Sequence, residues 1–327
     1  MEKPVRRETL TERIMESIDA QGGDRMVIKN VPSAAASSFS GDVPFWLSDL
    51  DKVATPDQSD PAEGPILVAE LDQARIKLTR RTAAMPYVRR NIEADEIYFI
   101  HQGAGRIETE LGSIDAPTSR TLFIGRGVSH RVIPESGDFM ALIVECEAAI
   151  KPHKSVKLAE VPLIQPDLAG ISPGENDTGT YEERIISNAW TANLIREYDP
   201  IRTAEALGDS NFVYGVDMAD IPAHSPVAPM PGLPFLLFES PVMVWAISKR
   251  TDPLPFYHRN IDLNEVEFVH QGVGDQDTEL GYLTAPTGSF YNLPRGIGHT
   301  PINRTKPMVA LIWETSGHVE VNPAILD

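Results

Sequence analysis

Four residues in the second half of the chain have the types and spacing that suit a metal ion. His258, Asn260 and Glu265 lie within "PFYHRNIDLNEVEFVHQG", residues 255 to 272, and His299 follows a Pro-x-Gly turn. Side chains alternate across a strand, so His258 and Asn260 share one face. If that face lines a barrel, Glu265 enters from the next strand segment and His299 from a strand beyond the turn. Two imidazoles and one carboxylate form a facial donor set that suits a non-haem iron(II) ion with open positions. Asn260 either adds a neutral oxygen ligand or hydrogen-bonds a ligand or substrate. A lone strand histidine more often finds a partner in the core, so the weight rests on the group and its spacing.

The elements that must position these residues are short apolar runs separated by Gly and Pro turns, the pattern of an all-β chain. An internal repeat organises them. "NIEADEIYFIHQGAGRIETELGSIDAPTSRTLFIGRGVSHR" starts at Asn91 and "NIDLNEVEFVHQGVGDQDTELGYLTAPTGSFYNLPRGIGHT" starts at Asn260. They align without a gap, and about 18 of 41 positions are identical. The period is far too long for a solenoid, so the chain carries a duplicated domain. The expected organisation is an N-terminal helix and extension (1–63), a first barrel (64–150), a connection with some strand at "EERIISNAW" (151–225) and a second barrel (226–327). The helix is expected over residues 9–22. Thr9 and Glu12 form its capping box, Leu10, Ile14 and Ile18 its apolar face, and Gly22 its stop.

The first copy is an internal control. Its equivalents of His258, Asn260, Glu265 and His299 are Arg89, Asn91, Glu96 and His130. A guanidinium stays protonated and has no lone pair for a metal. Arg89 is therefore expected to pair with Glu96 and leave this copy metal-free. "HQG", "TELG" and "APT" persist in both copies, so His101, His270 and Gln271 are assigned to turns and hairpins. Positions that differ are better pocket candidates: Glu267 (Tyr98), Asp275 (Arg106), Tyr291 (Leu122) and Asn292 (Phe123). Trp245 and Trp313, on flanking strands, either stack on an aromatic ligand or pack in the core.

Composition narrows the partners. Across 327 residues, 29 Lys plus Arg against 47 Asp plus Glu give a net charge of −18, with no basic run. Nucleic acid and anionic membranes both demand a basic face and are not expected partners. One cysteine, Cys146, excludes disulfides within the chain and thiolate zinc sites. With no secretory leader or spanning segment read in the sequence, a cytoplasmic protein is expected.

Each copy resembles a cupin, a small jelly-roll barrel. The second copy carries both halves of the cupin signature: His258, Asn260, Glu265 and Gly272, with Asn replacing the second His, then Gly288, Pro294, Gly296, His299 and Asn303. "PFYHRN" with a following acidic residue further resembles homogentisate 1,2-dioxygenases and the large subunit of two-component hydroquinone 1,2-dioxygenases. Glu265 lies one residue further from the histidine than in those families. The resemblance implies iron(II) held by His258, Glu265, His299 and Asn260, with manganese(II) left open by the donor set. It implies cleavage of a para-diol ring by dioxygen next to a hydroxyl-bearing carbon, and a smaller second subunit in a heterotetramer, or otherwise a homo-oligomer. Homogentisate- or gentisate-type cleavage is the alternative, as is a metal-binding bicupin without oxygenase activity, either an isomerase or a binding or structural subunit. Carboxylated substrates would want a cation. Alternation points Arg259 away from the metal face and no inward cation is evident, so an uncharged hydroquinone is favoured, while Arg295, in the turn before His299, keeps a carboxylated substrate open.

Overall fold

The computed structural model describes residues 13–16, 25–29, 40–167, 179–202, 212–227, 233–250, 254, 257–302 and 308–326. Thr9, Leu10, Glu12, Ile18, Gly22 and Asn303 lie outside them. The chain is all-β, with short helical turns such as Pro56–Ser59 and Lys154–Leu158. It divides into two compact units. One comprises residues 1–53, 151–159 and 222–327, the other 54–150 and 160–221.

Each unit is built from two mostly antiparallel sheets that enclose a core. In the unit holding the first copy, one sheet contains Ala74–Arg81, Phe139–Cys146, Asp95–Gln102 and Arg120–Ile124 as neighbours. The other contains Tyr87–Asn91, Ser129–Pro134, Ala104–Thr109 and Gly112–Pro117. Their facing side chains, among them Tyr98, Ile100, Leu122 and Ile143 from one sheet and Tyr87, Ile107, Ile114 and Val132 from the other, form one buried cluster. Apolar area removed from water on alternate strand positions drives this closure. In the unit holding the second copy, Met243–Arg250, Met308–Thr315, Asn264–Gln271 and Ser289–Leu293 lie side by side. Tyr257–Asn260, His299–Pro301, Gln276–Thr278 and Gly281–Leu283 make up part of the opposing sheet.

Two expectations change. Arg13–Glu16 form a strand paired antiparallel with Arg25–Lys29, not part of a helix. Arg25–Lys29 in turn pairs with Tyr257–Asn260. Pairing along a sheet overrides a helical apolar pattern, because propensity is a weak prior against tertiary context. Residues 151–225 hold the strand expected at "EERIISNAW", and more strand besides, so they are more than a connection. Tyr181–Ile186 pairs parallel with Tyr87–Asn91 and antiparallel with Thr191–Arg196, and Val213–Asp217 pairs with Arg120–Ile124. These strands complete both sheets of the first barrel, while residues 151–159 belong to the second unit. In the same way Leu47–Asp49, expected to lie in an extension, pairs with Ser289–Leu293.

Candidate metal centre

Strand register decides which side chains of the second barrel point inward. Glu265 pairs with Glu314 and Leu293, Glu267 with Ile312 and Tyr291, and Val269 with Ala310. Val269, Tyr291, Leu293, Met308 and Ala310 belong to the buried cluster inside this barrel. Glu265 and Glu267 therefore face the interior. From the opposite sheet, His258 is the register partner of His299, and their rings lie 4.2 Å apart between centroids.

The turn before His299 is built to aim it. Gly296 adopts φ 85°, a left-handed conformation that favours glycine, and donates its N–H to Asn260 O at 2.7 Å. Ile297 N closes the turn on Pro294 O at 3.1 Å. His299 Nδ1 then sits 3.1 Å from Ile297 O. A proton on Nδ1 meets that carbonyl, which leaves Nε2 directed at the site.

Nε2 of His299 has no hydrogen-bond partner, yet it lies 3.3 Å from Oε2 of Glu265. When the imidazole is neutral, two lone-pair atoms face each other there. A positive species must join them, either a proton on His299 or a metal ion. Burial alone would raise the Glu265 carboxyl, but the His299 and His258 imidazoles outweigh it and hold it at about 2. Burial, with His299 beside it, pushes His258 well below the usual histidine range, so this ring presents a lone pair at neutral pH. Donor atoms of His258, Glu265 and His299 all lie within 4.8 Å of one another, and the three residues are buried. An anionic oxygen and two imidazole nitrogens on a buried wall fit a divalent cation of the iron, manganese or zinc kind.

Asn260 stands at the edge of this group. Its Nδ2 donates to Glu265 Oε2 at 3.0 Å and lies 3.5 Å from Glu314 Oε1. Here it orients the carboxylate. Glu267 and Tyr291 lie beside the group, with Tyr291 Oη donating to Glu267 Oε2 at 2.8 Å and Gln276 Nε2 to Glu267 Oε1 at 3.0 Å. Burial, then the adjacent Glu265, pushes the Glu267 carboxyl well up.

Four other sequence candidates point elsewhere. Trp245 and Trp313 are register partners with ring centroids 5.2 Å apart, and Trp313 pairs with Val266, on the face opposite to Glu265 and Glu267. They pack with Phe238 and Phe290, so the core alternative holds and the aromatic-ligand one does not. Asn292 pairs with Val266 on that same outer face, where its amide receives Trp46 N at 2.8 Å and donates to Pro44 O at 2.6 Å. Arg259 is half-buried between the two inward residues His258 and Asn260, on the other face of its strand.

Sequence reasoning passed over three inward residues. Gln276 replaces Ile107 of the first copy, a difference visible in the same alignment that picked out Asp275. Glu314 and Arg250 match Glu145 and Arg81 of the first copy, and identity across the copies hid them. Arg250 pairs in register with Met308, and its Nε donates to Ser248 Oγ at 2.9 Å. Burial draws it down to about 10, against the pull of Glu267 and Glu265. The site thus has an inward cation, which corrects the reading that none is present.

The first barrel fills the same space with ion pairs. Arg89 Nε donates to Glu96 Oε1 at 3.0 Å, and its Nη2 bridges Glu96 and Glu145. Lys77 Nζ reaches Glu145 at 2.7 Å. His130 keeps the same Nδ1 contact, 3.2 Å from Val128 O, but Tyr98 Oη approaches its Nε2 at 2.9 Å. Burial pulls His130 below its usual range, so the phenol donates to a neutral ring. The histidine Nε2 left without a partner in the second barrel thus has one here.

No family model matches this chain. Among solved structures it is similar to a cupin 2 conserved barrel domain protein from Leptotrichia buccalis, with 11% identity, 81% of this chain and 98% of that one covered, and a TM-score of 0.47. It is also similar to protein Ylba from E. coli, with 8% identity, coverages of 88% and 98%, and a TM-score of 0.49. A third is an oxalate decarboxylase from Lactobacillus farciminis in complex with formate, with 13% identity, coverages of 98% and 89%, and a TM-score of 0.40. The chain's own strand order and register carry the description of its two barrels. Among the described residues, no helix is long and apolar enough to cross a membrane.

Proposed function

We propose that the second barrel is an iron(II) centre that opens the ring of a hydroquinone-type para-diol with dioxygen, next to a hydroxyl-bearing carbon. One observation carries the metal part of this reading. His299 Nε2 has no hydrogen-bond partner 3.3 Å from Glu265 Oε2, whereas in the first barrel Tyr98 Oη lies 2.9 Å from His130 Nε2 and Arg89 donates to Glu96 Oε1. The ring-cleaving part rests on the likeness of "PFYHRN" and its acidic follower to para-diol dioxygenases.

His258, Glu265 and His299 would hold the ion, with Asn260 orienting Glu265. When bound, iron(II) supplies the redox chemistry that lets dioxygen react with a closed-shell phenol, and manganese(II) is the other ion that this donor set suits. The chain does the rest. Ile297 O fixes the tautomer of His299. The apolar wall of Val269, Leu293 and Ala310 keeps water from the interior. Glu267, held by Tyr291 and Gln276, gives the barrel interior a polar group for a hydroxyl.

Arg250 favours a second reading, in which the ring carries a carboxylate, as homogentisate and gentisate do. A buried guanidinium is a geometric match for a carboxylate. A smaller partner subunit in a heterotetramer belongs to the same proposal. Anaerobic loading with iron(II), followed by oxygen uptake with hydroquinone, homogentisate and gentisate, with and without a partner chain, tests these readings. Uptake with hydroquinone supports the first reading, and uptake confined to the acids supports the second. No uptake with any para-diol refutes both and leaves a metal-binding bicupin.

A further inference from the structure

The polar cluster behind the metal site has one atom with nothing to bond. Gln276 is 1% exposed, and its Oε1 has no hydrogen-bond partner. Its orientation is set by its neighbours. Tyr291 has a single hydroxyl proton, which goes to Glu267 Oε2 at 2.8 Å, so only lone pairs remain on that oxygen for Gln276. Gln276 Nε2 meets them at 3.2 Å and meets Glu267 Oε1 at 3.0 Å. The amide nitrogen is thereby committed, and the carbonyl oxygen is the end left over.

That oxygen belongs to the barrel interior. Thr278 pairs with His299 and Gln276 with Pro301, so Gln276 lies two residues along from the candidate ligand and on its face. At a strand rise of about 3.3 Å per residue, this offset is roughly 7 Å, the reach of an aromatic ring with substituents at both ends. The duplication provides the comparison. Glu267, Gln276 and Tyr291, on three different strands, replace Tyr98, Ile107 and Leu122, which pack in the apolar core of the first barrel. Two apolar positions thus turn polar, and a tyrosine becomes a glutamate, in the barrel that has the candidate metal centre. Buried amide oxygens are nearly always satisfied.

We propose that Gln276 Oε1 accepts a hydrogen bond from the substrate hydroxyl distal to the metal, with Glu267 and Tyr291 as the residues that hold the amide in place. This rests on the para-diol reading of the site and adds its specificity element: the ligand must carry a donor opposite the metal-bound oxygen. A site that hydrogen-bonds a hydroxyl rejects the analogue that lacks it.

The test is equilibrium binding, measured without oxygen by calorimetry on full-length protein loaded with iron(II), with metal content assayed separately. The ligands are hydroquinone and 4-methoxyphenol, which cannot donate at the distal position. Native protein should prefer hydroquinone by ~10-fold or more. Gln276→Leu should bind metal as native protein does and lose most of that preference, while its affinity for 4-methoxyphenol changes less than about threefold. Gln276→Glu, which keeps an acceptor, should retain the preference, which guards against a misfolded Leu variant. A Leu variant that still prefers hydroquinone, a loss equal for both ligands, or a native protein that binds neither would overturn the proposal. Selective binding without oxygen uptake would refute ring cleavage alone and leave the role of Gln276 standing.

Discussion

Replacing Arg89 with methionine should unfold the first barrel more readily, by an amount the ion-pair network sets. Arg89 is 4% exposed and is the common partner of Glu96 and Glu145, each 2% exposed. Without it, Glu96 becomes an uncompensated buried carboxylate. Glu145 keeps Lys77 at 2.7 Å and Arg75 at 3.6 Å. Breaking a buried pair by removing one partner costs about 3–5 kcal/mol, because the other charge stays in low dielectric. For a unit of roughly 160 residues, each kcal/mol moves the midpoint by about 2–4 °C, so the transition should fall by about 6–20 °C at pH 7. Adding Glu96→Leu should return most of that loss, since an apolar replacement of the whole pair is often neutral or stabilising. The pH dependence has a definite sign. In the native chain burial would raise Glu145, but Arg89 and Lys77 hold it at about 2, below its ordinary value of 4.5. Its contribution is therefore complete above pH 4.5 and is lost as pH falls toward 2. In Arg89→Met the stranded carboxylates take up protons more easily, so the gap to native protein should narrow on acidification. Differential scanning calorimetry of native, single and double variants at pH 7 and pH 4.5 reads all of this. An unchanged midpoint at pH 7, a gap that widens in acid, or a double variant no better than the single would refute the network as the cause.

His258→Ala or Glu265→Ala should abolish stoichiometric iron(II) and manganese(II) binding measured by metal analysis after desalting, whereas Arg89→Met should leave it intact. Asn260→Ala frees the Glu265 carboxylate to turn, and metal affinity from competition titration should drop ~10–100-fold, the usual effect of losing an orienting partner. Arg250→Gln should weaken binding of carboxylated para-diols by about 10–150-fold, the worth of a charge-assisted hydrogen bond, with a smaller effect on hydroquinone in the same calorimetric assay. Asn292→Ala strands Trp46 N and Pro44 O, so urea unfolding should report a loss of ~1–3 kcal/mol with metal binding unaltered.

The sequence pointed to the candidate metal group because His258, Glu265 and His299 fall at the positions of both halves of the signature that the second copy resembles, and alternation along a strand is consistent with it. His258, Glu265 and His299 could be picked out without knowing which strands would pair. The repeat separated residues that build the barrel from residues that differ between its copies. It could not say which differing residues face inward, because that depends on register. Asn292 and Tyr291 are neighbours that both differ between copies, yet one holds the N-terminal segment and the other faces the barrel interior. Trp245 and Trp313 fell on the outer face for the same reason. The strand character of Tyr181–Ile186 was legible, but its pairing with Tyr87–Asn91 was not, and neither was that of Leu47–Asp49 with Ser289–Leu293, because those partners are more than ninety residues away in sequence. Glu314 and Arg250 show the opposite failure. Comparing copies for differences discards any residue that both kept, even when its surroundings have changed its use.

That change of surroundings is where the duplication is most informative. Both barrels place two carboxylates at the same pair of positions, Glu96 with Glu145 and Glu265 with Glu314, as register partners on adjacent strands. In the first barrel three cationic positions face this pair: Arg75, Lys77 and Arg89. Their equivalents in the second barrel are Val244, Ala246 and His258, none of which carries a permanent charge. One protein thus solves the same electrostatic problem in two ways. In the first barrel fixed guanidinium and ammonium groups answer the acid pair. In the second, an imidazole and two aliphatic side chains stand at those positions and bring no fixed charge, and a buried acid pair of that kind gives a divalent ion a reason to bind. On this argument the reverse exchange is instructive. Introducing lysine at Ala246 and arginine at His258 together should yield a stable, metal-free second barrel, whereas Ala246→Lys alone should compete with the metal and weaken its binding. If the double variant still bound iron(II) stoichiometrically in metal analysis, charge replacement would not be what separates the two sites.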